Sequence, residues 1–254
     1  MDDTPVEIPL SGGNVGGAVR VGDTVRRPTG PWTPAVHALL EHLERAGLTG
    51  VPRVHGYDEQ GREILDFLPG RTYDTGTETV PDDVLVQGLR WLRDYHRVVS
   101  SYRPDGVVRW RTSTAALEDG QIVCMHDFAA YNWVVSPAGE FVGVIDWDMA
   151  GPGKPLDDVA FCAWNTAPLA RPMPPDWLAN RLRLMASAYG GIFTPEQILY
   201  AVPARALRSV RVIRAGQQAG DPGMLNLATV GEPERTERTV LDVERRIPRI
   251  AALL

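Results

Sequence analysis

Apolar positions along the chain follow two regimes. Between residues 6 and 67 they alternate with polar ones in short β-branched runs, and from residue 82 onward they recur every three to four positions. Residues 6 to 27 predict a small antiparallel sheet. Strands over 18–21 and 24–27 are joined by a tight Gly22-Asp23 turn. A helix follows, with Thr33 as N-cap and Pro34 at its first position. Val36, Leu39, Leu40 and Leu43 form its apolar stripe, and Gly47 ends it. Two further strands are expected over 51–57 and 62–67, around the polar turn Asp58-Glu59-Gln60-Gly61. The pattern breaks at Leu68-Pro69-Gly70-Arg71, the candidate boundary between an N-terminal α+β lobe (1–68) and a mostly helical remainder (69–254).

In that remainder a helix is expected over 82–100, with Val84, Leu85, Leu89, Leu92, Tyr95 and Val99 on one side. His96 lies along it and reads as a packed histidine hydrogen-bonded to backbone. Two β-rich runs follow, Ile122-Val123-Cys124 and Phe141-Val142-Gly143-Val144-Ile145. Gly151-Pro152-Gly153-Lys154-Pro155 reads as a rigid loop leading to a helix through Trp164, and Asp157-Asp158 at its start read as caps that favour its dipole. Three more helices are expected over 175–190, 194–219 and 233–254. The second carries Arg205, Arg208, Arg211 and Arg214 at three-residue spacing. These form a solvated amphipathic face or, on a sharper reading, one wall of a site for neutral or anionic ligands.

Composition narrows the classes of function. A chain of 254 residues with 44% hydrophobic and 23% charged residues is ordinary for a globular protein. Its net charge of -6 gives no general reason to expect nucleic-acid or membrane partners. The acidic N-terminus lacks the order of a signal peptide, and no apolar run is long enough to span a bilayer. Cys124 and Cys162 lie in apolar contexts and read as reduced core residues, which fits a cytoplasmic protein. Lys154 is the single lysine, so anion recognition elsewhere falls to arginine, whose forked donors suit phosphate oxygens.

The candidate chemistry sits between Ile122 and Asp148, where each β run leads to a carboxylate. Asp127 follows the first, Asn132 lies five residues later, and Asp146 follows the second. Two carboxylates and an amide oxygen are hard ligands suited to magnesium. Phosphoryl transfer uses such a set, because its catalysis is mostly alignment and charge neutralisation. The glycine-rich stretch Ser11 to Gly17, including Gly12, Gly13 and Asn14, reads either as a hairpin turn or as a loop whose bare amides cover phosphates.

These segments resemble the aminoglycoside phosphotransferase and choline kinase-like family. Asp127-Phe128-Ala129-Ala130-Tyr131-Asn132 is similar to its catalytic loop, and Val144-Ile145-Asp146-Trp147-Asp148 to its metal loop. Leu65-Asp66-Phe67-Leu68-Pro69-Gly70 is similar to its hinge, and Leu92-Arg93-Asp94-Tyr95-His96 to its leucine-and-histidine helix. The resemblance implies a two-lobed protein-kinase-like fold, a small antiparallel-sheet lobe with one helix beside a larger helical lobe. It also implies an ATP- or GTP-dependent phosphotransferase acting on a small-molecule hydroxyl, such as an aminoglycoside, another antibiotic or a metabolite. Asp127 would be the base and Asn132 and Asp146 the Mg2+ ligands, with the backbone of Asp66, Phe67 and Leu68 meeting adenine. Residues 1–68 would bind nucleotide and 69–254 would carry the catalytic and metal loops and the acceptor site.

Four positions depart from the family pattern. Met125 stands where a histidine is usual, with His126 next to it. Arg26 or Arg27 must serve for the phosphate-binding lysine. The helix acid that partners this lysine falls near Val36 or His37, where there is none. Gly153-Lys154-Pro155 replaces the frequent Gly-Asp-Pro. A non-catalytic nucleotide- or ligand-binding protein on the same fold is therefore the competing expectation. A metal-dependent hydrolase is a distant third, since the histidine-rich ligand set it would use is missing.

Overall fold

The alternation around Gly22-Asp23 folds as the pattern predicts. In the computed structural model, which describes residues 6–10, 17–104, 106 and 108–254, β2 (Val19–Val21) and β3 (Thr24–Arg27) form a hairpin with Gly22 at φ 59°. With β1 (Ile8–Pro9), β4 (Val54–Tyr57) and β5 (Glu63–Asp66) they make a five-stranded antiparallel sheet, ordered β1-β2-β3-β5-β4. β4 is shorter than expected because Pro52 has no N–H for the ladder and the register slips between Val54 and Gly56. The glycine stretch holding Gly12, Gly13 and Asn14 lies outside the described residues.

Helix α1 (Thr33–Arg45) buries Val36, Leu39, Leu40 and Leu43 as its stripe predicts. Its N-cap is Trp32 rather than Thr33. The chain is already helical at Trp32, and the Thr33 hydroxyl accepts the Gly30 N–H at 2.9 Å instead of capping the first turn.

The remainder contains α2 (Asp82–Val99), α3 (Pro155–Thr166), α4 (Pro175–Ala188), α5 (Pro195–Gln218), α6 (Pro222–Leu227) and α7 (Glu234–Ala251). α5 packs between α3 and α7. Short α6 was not expected, although Asp221 caps it by accepting the Met224 N–H at 3.1 Å and Pro222 opens it. None of the described helices is long and apolar enough to cross a membrane. The molecule thus has the two-lobed, protein-kinase-like α+β architecture, a small antiparallel sheet with one helix beside a larger helical part.

Two short ribbons carry the candidate loops. β6 (Ile122–Cys124) pairs antiparallel with β9 (Gly151–Gly153), which corrects the expected rigid loop at 151–153. Proline is tolerated there because the ribbon has only two strands and leaves one edge of β9 unpaired. β7 (Trp133–Val135), also unexpected, pairs with β8 (Phe141–Val144).

Aromatic packing fixes both ribbons to α2. Trp91 stacks on Tyr95 at 5.7 Å and on Phe128 at 5.9 Å, Phe128 meets Trp133 at 4.8 Å, and Tyr95 meets the edge of Trp147 at 5.4 Å. Phe128 follows Asp127, and Trp147 separates Asp146 from Asp148. The same buried cluster therefore sets the position of both acidic loops.

Candidate active site

The loop after β6 is held by a buried carboxylate. Asp158, from the first turn of α3, accepts the backbone N–H of Met125 at 2.9 Å and of His126 at 2.7 Å. The Nε2 of His96 lies 2.9 Å from the same carboxylate, and its Nδ1 meets the Tyr189 hydroxyl at 2.7 Å. Burial pushes the Asp158 pKa up, but hydrogen bonds from His96 and the Met125 amide outweigh it and hold the carboxyl below its usual range. His96 is packed and hydrogen-bonded as expected, but to side chains. Only Asp157 caps the helix, accepting the Lys154 N–H at 2.9 Å, so the capping expectation for Asp158 is corrected.

His126 takes φ 58°, an uncommon left-handed conformation for a residue with a side chain. Its Nε2 lies 3.0 Å from the Pro152 carbonyl, and Arg205 donates to its own carbonyl. Burial lowers its pKa to about 4, so the ring is neutral, and the same Nε2 lies 3.2 Å from a terminal nitrogen of Arg208. The ring fits because Gly153 faces it. A Cβ at Gly153 would lie 2.5 Å from His126 Cε1.

This arrangement positions Asp127, which is half-buried. Tyr131 donates its hydroxyl to Oδ1 at 2.5 Å, and Asn132 donates its side-chain N–H to Oδ2 at 2.9 Å. Burial raises the Asp127 pKa to about 6. The hydrogen bond from Tyr131 opposes the rise, the Asp146 charge adds to it, and the bond from Asn132 opposes it again.

The second loop approaches from β8. The Ile145 N–H bonds the Asn132 carbonyl at 3.0 Å, tying the two loops together, and Asp146 also takes φ 58°. The Asn132 side-chain oxygen accepts from no described residue, and the Asp146 side chain is 43% exposed. Two hard oxygen donors on adjoining loops fit a divalent cation.

Of the two arginines on β3, Arg27 reaches this site. Its Nε donates to Glu63 Oε1 at 2.5 Å, and its terminal nitrogens lie 3.1 Å from Asp146 Oδ1 and 2.6 Å from Asp148 Oδ1. Burial disfavours its charge, but Asp148, Asp146 and Glu63 more than compensate and hold it protonated. Arg26, on the opposite face of the pleat, bonds Thr24 Oγ1 at 2.5 Å instead. Glu63 also accepts from His37 Nε2 at 2.8 Å. Arg111 lies 3.4 Å from Asp148, grips Asp221 with two contacts of 3.0 Å, and stacks on Trp32.

At the hinge, the Asp66 amide is already bonded to the Arg53 carbonyl and the Phe67 amide to the Asp23 carbonyl, while Leu68 N–H donates to no described acceptor. The arginine stripe divides. Arg205 is buried and Arg208 braces the Pro152 carbonyl at 3.3 Å, whereas Arg214 pairs with Glu237. A uniformly solvated face is thus corrected. A cavity of about 690 Å³ between α1 and residues 101–104, 108 and 109 includes none of these residues.

Sequence reading missed Glu63, His37, Arg111 and Asp158 as parts of this site, and held Asp148 and Tyr131 only as members of the two loop segments, with no role of their own. Glu63 had a legible signal, because it shares the inward phase of β5 with Leu65 and is an acid where an apolar residue would sit. Arg111 had none, since it lies in an irregular segment without periodicity.

A model of the phosphotransferase enzyme family matches residues 102–192, the span that holds both loops. The trifolitoxin immunity protein of Rhizobium leguminosarum bv. trifolii is 33% identical over 214 residues, which are 77% of this chain and 81% of that protein. The chain belongs to the phosphotransferase enzyme family. The solved microcompartment-associated aminopropanol kinase aligns with TM-score 0.64 at 14% identity, covering 98% of this chain and 94% of that one. An amicoumacin kinase, solved in complex with AMP-PNP, Ca2+ and Ami, aligns with TM-score 0.58 at 12% identity over 95% and 87%. At these identities the structural likeness establishes the fold.

Proposed function

We propose that the protein transfers the γ-phosphoryl group of ATP or GTP to a hydroxyl of a small molecule. The observation that carries this reading is the convergence of Asp127, Asn132 and Asp146 on two loops joined by the Ile145–Asn132 hydrogen bond. Asp127 accepts the proton of the acceptor hydroxyl as its oxygen bonds to the γ-phosphorus and the bond to the leaving diphosphate breaks. Asn132 and Asp146 would hold Mg2+, which when bound neutralises phosphate charge. Arg27 supplies a fixed guanidinium to the phosphates, and the hinge backbone, through the Leu68 N–H, receives the base.

On this reading residues 1–68 bind nucleotide and residues 69–254 carry the loops and the acceptor site. Arg205, buried behind the catalytic loop, favours a neutral or anionic acceptor over a polycationic aminoglycoside. The likeness to a trifolitoxin immunity protein supports a toxin as that acceptor. The test is nucleotide turnover across hydroxylated antibiotics and metabolites, with and without magnesium, alongside Asp127→Ala. Full activity in that variant would remove Asp127 as base.

A second reading is a ligand-binding protein without turnover. It is favoured by the ion pairs of Arg27 to both Asp146 and Asp148, where a cation would be held. Tight binding of a toxin-like ligand, with no magnesium-nucleotide binding in calorimetry, would establish it over the first.

A further inference from the structure

We propose that Glu63, backed by His37, is a positioning residue that aims Arg27 at the nucleotide phosphates, so that strand β5 supplies the acid that helix α1 lacks. The inference rests on the phosphotransferase reading. Residues 36 and 37 of α1, where the family pattern has an acid, are Val36 and His37. His37 does not pair with Arg27 directly. It binds Glu63 Oε2 at 2.8 Å, while Glu63 Oε1 takes the Nε of Arg27 at 2.5 Å.

The geometry separates a rear and a front of the guanidinium. The group is planar, so engaging Nε from behind sets the direction of the two terminal nitrogens. Those nitrogens face Asp146 and Asp148 on the metal loop. The Glu63 side chain is 1% exposed and the Asp146 side chain 43%, so the rear anchor is dry and the front opens to solvent at Asp146. Both Glu63 oxygens are occupied, which holds the carboxylate without a further partner. Asp148 is shared with Arg111, which in turn is fixed by Asp221, so the forward contact has its own support. An arriving triphosphate finds a guanidinium whose orientation is already set by a strand, with the helix coupled in through the His37 ring.

An interior ion pair with no part in binding would have the same distances, so the test separates phosphate recognition from folding. Calorimetry would measure magnesium-ATP and adenosine binding to wild type, Arg27→Met, Glu63→Gln, Glu63→Asp and the Arg27→Met/Glu63→Gln double variant. Expected for Arg27→Met and Glu63→Gln is a loss of magnesium-ATP affinity of about tenfold or more, with adenosine affinity unchanged. Glu63→Asp, which keeps the charge, is expected to recover part of the loss, and it carries the test if the Gln variant does not fold. The double variant is expected to be no weaker than Arg27→Met, because Glu63 acts through Arg27. Wild-type magnesium-ATP affinity in Glu63→Gln, or additive losses in the double variant, would overturn the inference while leaving the phosphotransferase reading intact. A wild-type protein that binds no magnesium-ATP would overturn both.

Discussion

Tyr131 donates its hydroxyl to Oδ1 of Asp127 at 2.5 Å, and Tyr131 itself is 37% exposed. Asn132 donates to the other oxygen, and each carboxylate oxygen keeps a further lone pair with which to take the proton of an acceptor hydroxyl. The bond from Tyr131 lowers the Asp127 pKa against the burial that raises it to about 6. Removing it in Tyr131→Phe therefore raises that pKa further. The base works deprotonated, so the acidic limb of kcat/KM against pH is expected to move to higher pH in this variant. A pH–rate profile of both proteins checks the shift, and an unmoved or lowered limb would sink the argument.

His96→Ala tests the support beneath the loop. It leaves Asp158 fully buried with its two backbone donors but without its side-chain partner. Breaking such a buried pair costs about 3 kcal/mol or more. Thermal unfolding is expected to shift down accordingly. Since Asp158 sets the Met125 and His126 amides, kcat is expected to fall in the fraction that remains folded. A melting temperature equal to wild type would show that the buried Asp158 does not need His96.

The residues that declared themselves in the sequence were those whose chemistry is local. Asp127, Asn132 and Asp146 sit at fixed offsets from short β runs, so spacing alone brought them forward, and the helices carried their own apolar stripes. What was hidden depends on pairing between distant segments. Arg27 and Glu63 meet because β3 and β5 pair Arg27 with Glu63 across the ladder, a register that no single strand announces. Asp158 looked like a helix cap because position is all a sequence shows; its burial against the loop 32 and 33 residues earlier follows from how α3 packs on β6. The 151–153 strand was obscured by its glycines and proline, which signal a loop unless a partner strand is known.

Gly153→Ala addresses the close approach of the two chain segments. The added Cβ would come 2.5 Å from His126 Cε1 and 3.0 Å from Cys124 Sγ, and both side chains are buried. Something must shift, at a cost of about 1–3 kcal/mol for overpacking. The residue displaced is His126, next to Asp127. kcat is expected to drop about tenfold or more from the misplaced base, while affinity for nucleotide stays near wild type because β5 and the hinge are untouched. Steady-state kinetics with a direct binding measurement separates the two effects. Unchanged kcat would mean that the loop absorbs the methyl elsewhere.

Asp127→Asn should reveal a pH dependence of stability that wild type conceals. The buried His126 has a pKa of about 4 against the ordinary 6.5, so between those values the unfolded chain binds the extra proton and stability rises with pH. Asp127 acts in the opposite sense. Its pKa of about 6 exceeds the ordinary 3.8, so the folded protein holds the extra proton in between and stability falls as pH rises. Over the shared window, roughly pH 4 to 6, the two slopes oppose each other. The amide that replaces the carboxyl does not titrate, which leaves the His126 slope, at most roughly 1.4 kcal/mol per pH unit, uncompensated. The variant is expected to be the more stable of the two at pH 7, where Asp127 is charged at a cost, and to lose more stability than wild type as pH drops through this window, so that the two curves converge near pH 4. Denaturant unfolding of both proteins from pH 4 to 7 checks this. Parallel stability curves would show that Asp127 titrates in the folded protein as it does in the unfolded chain.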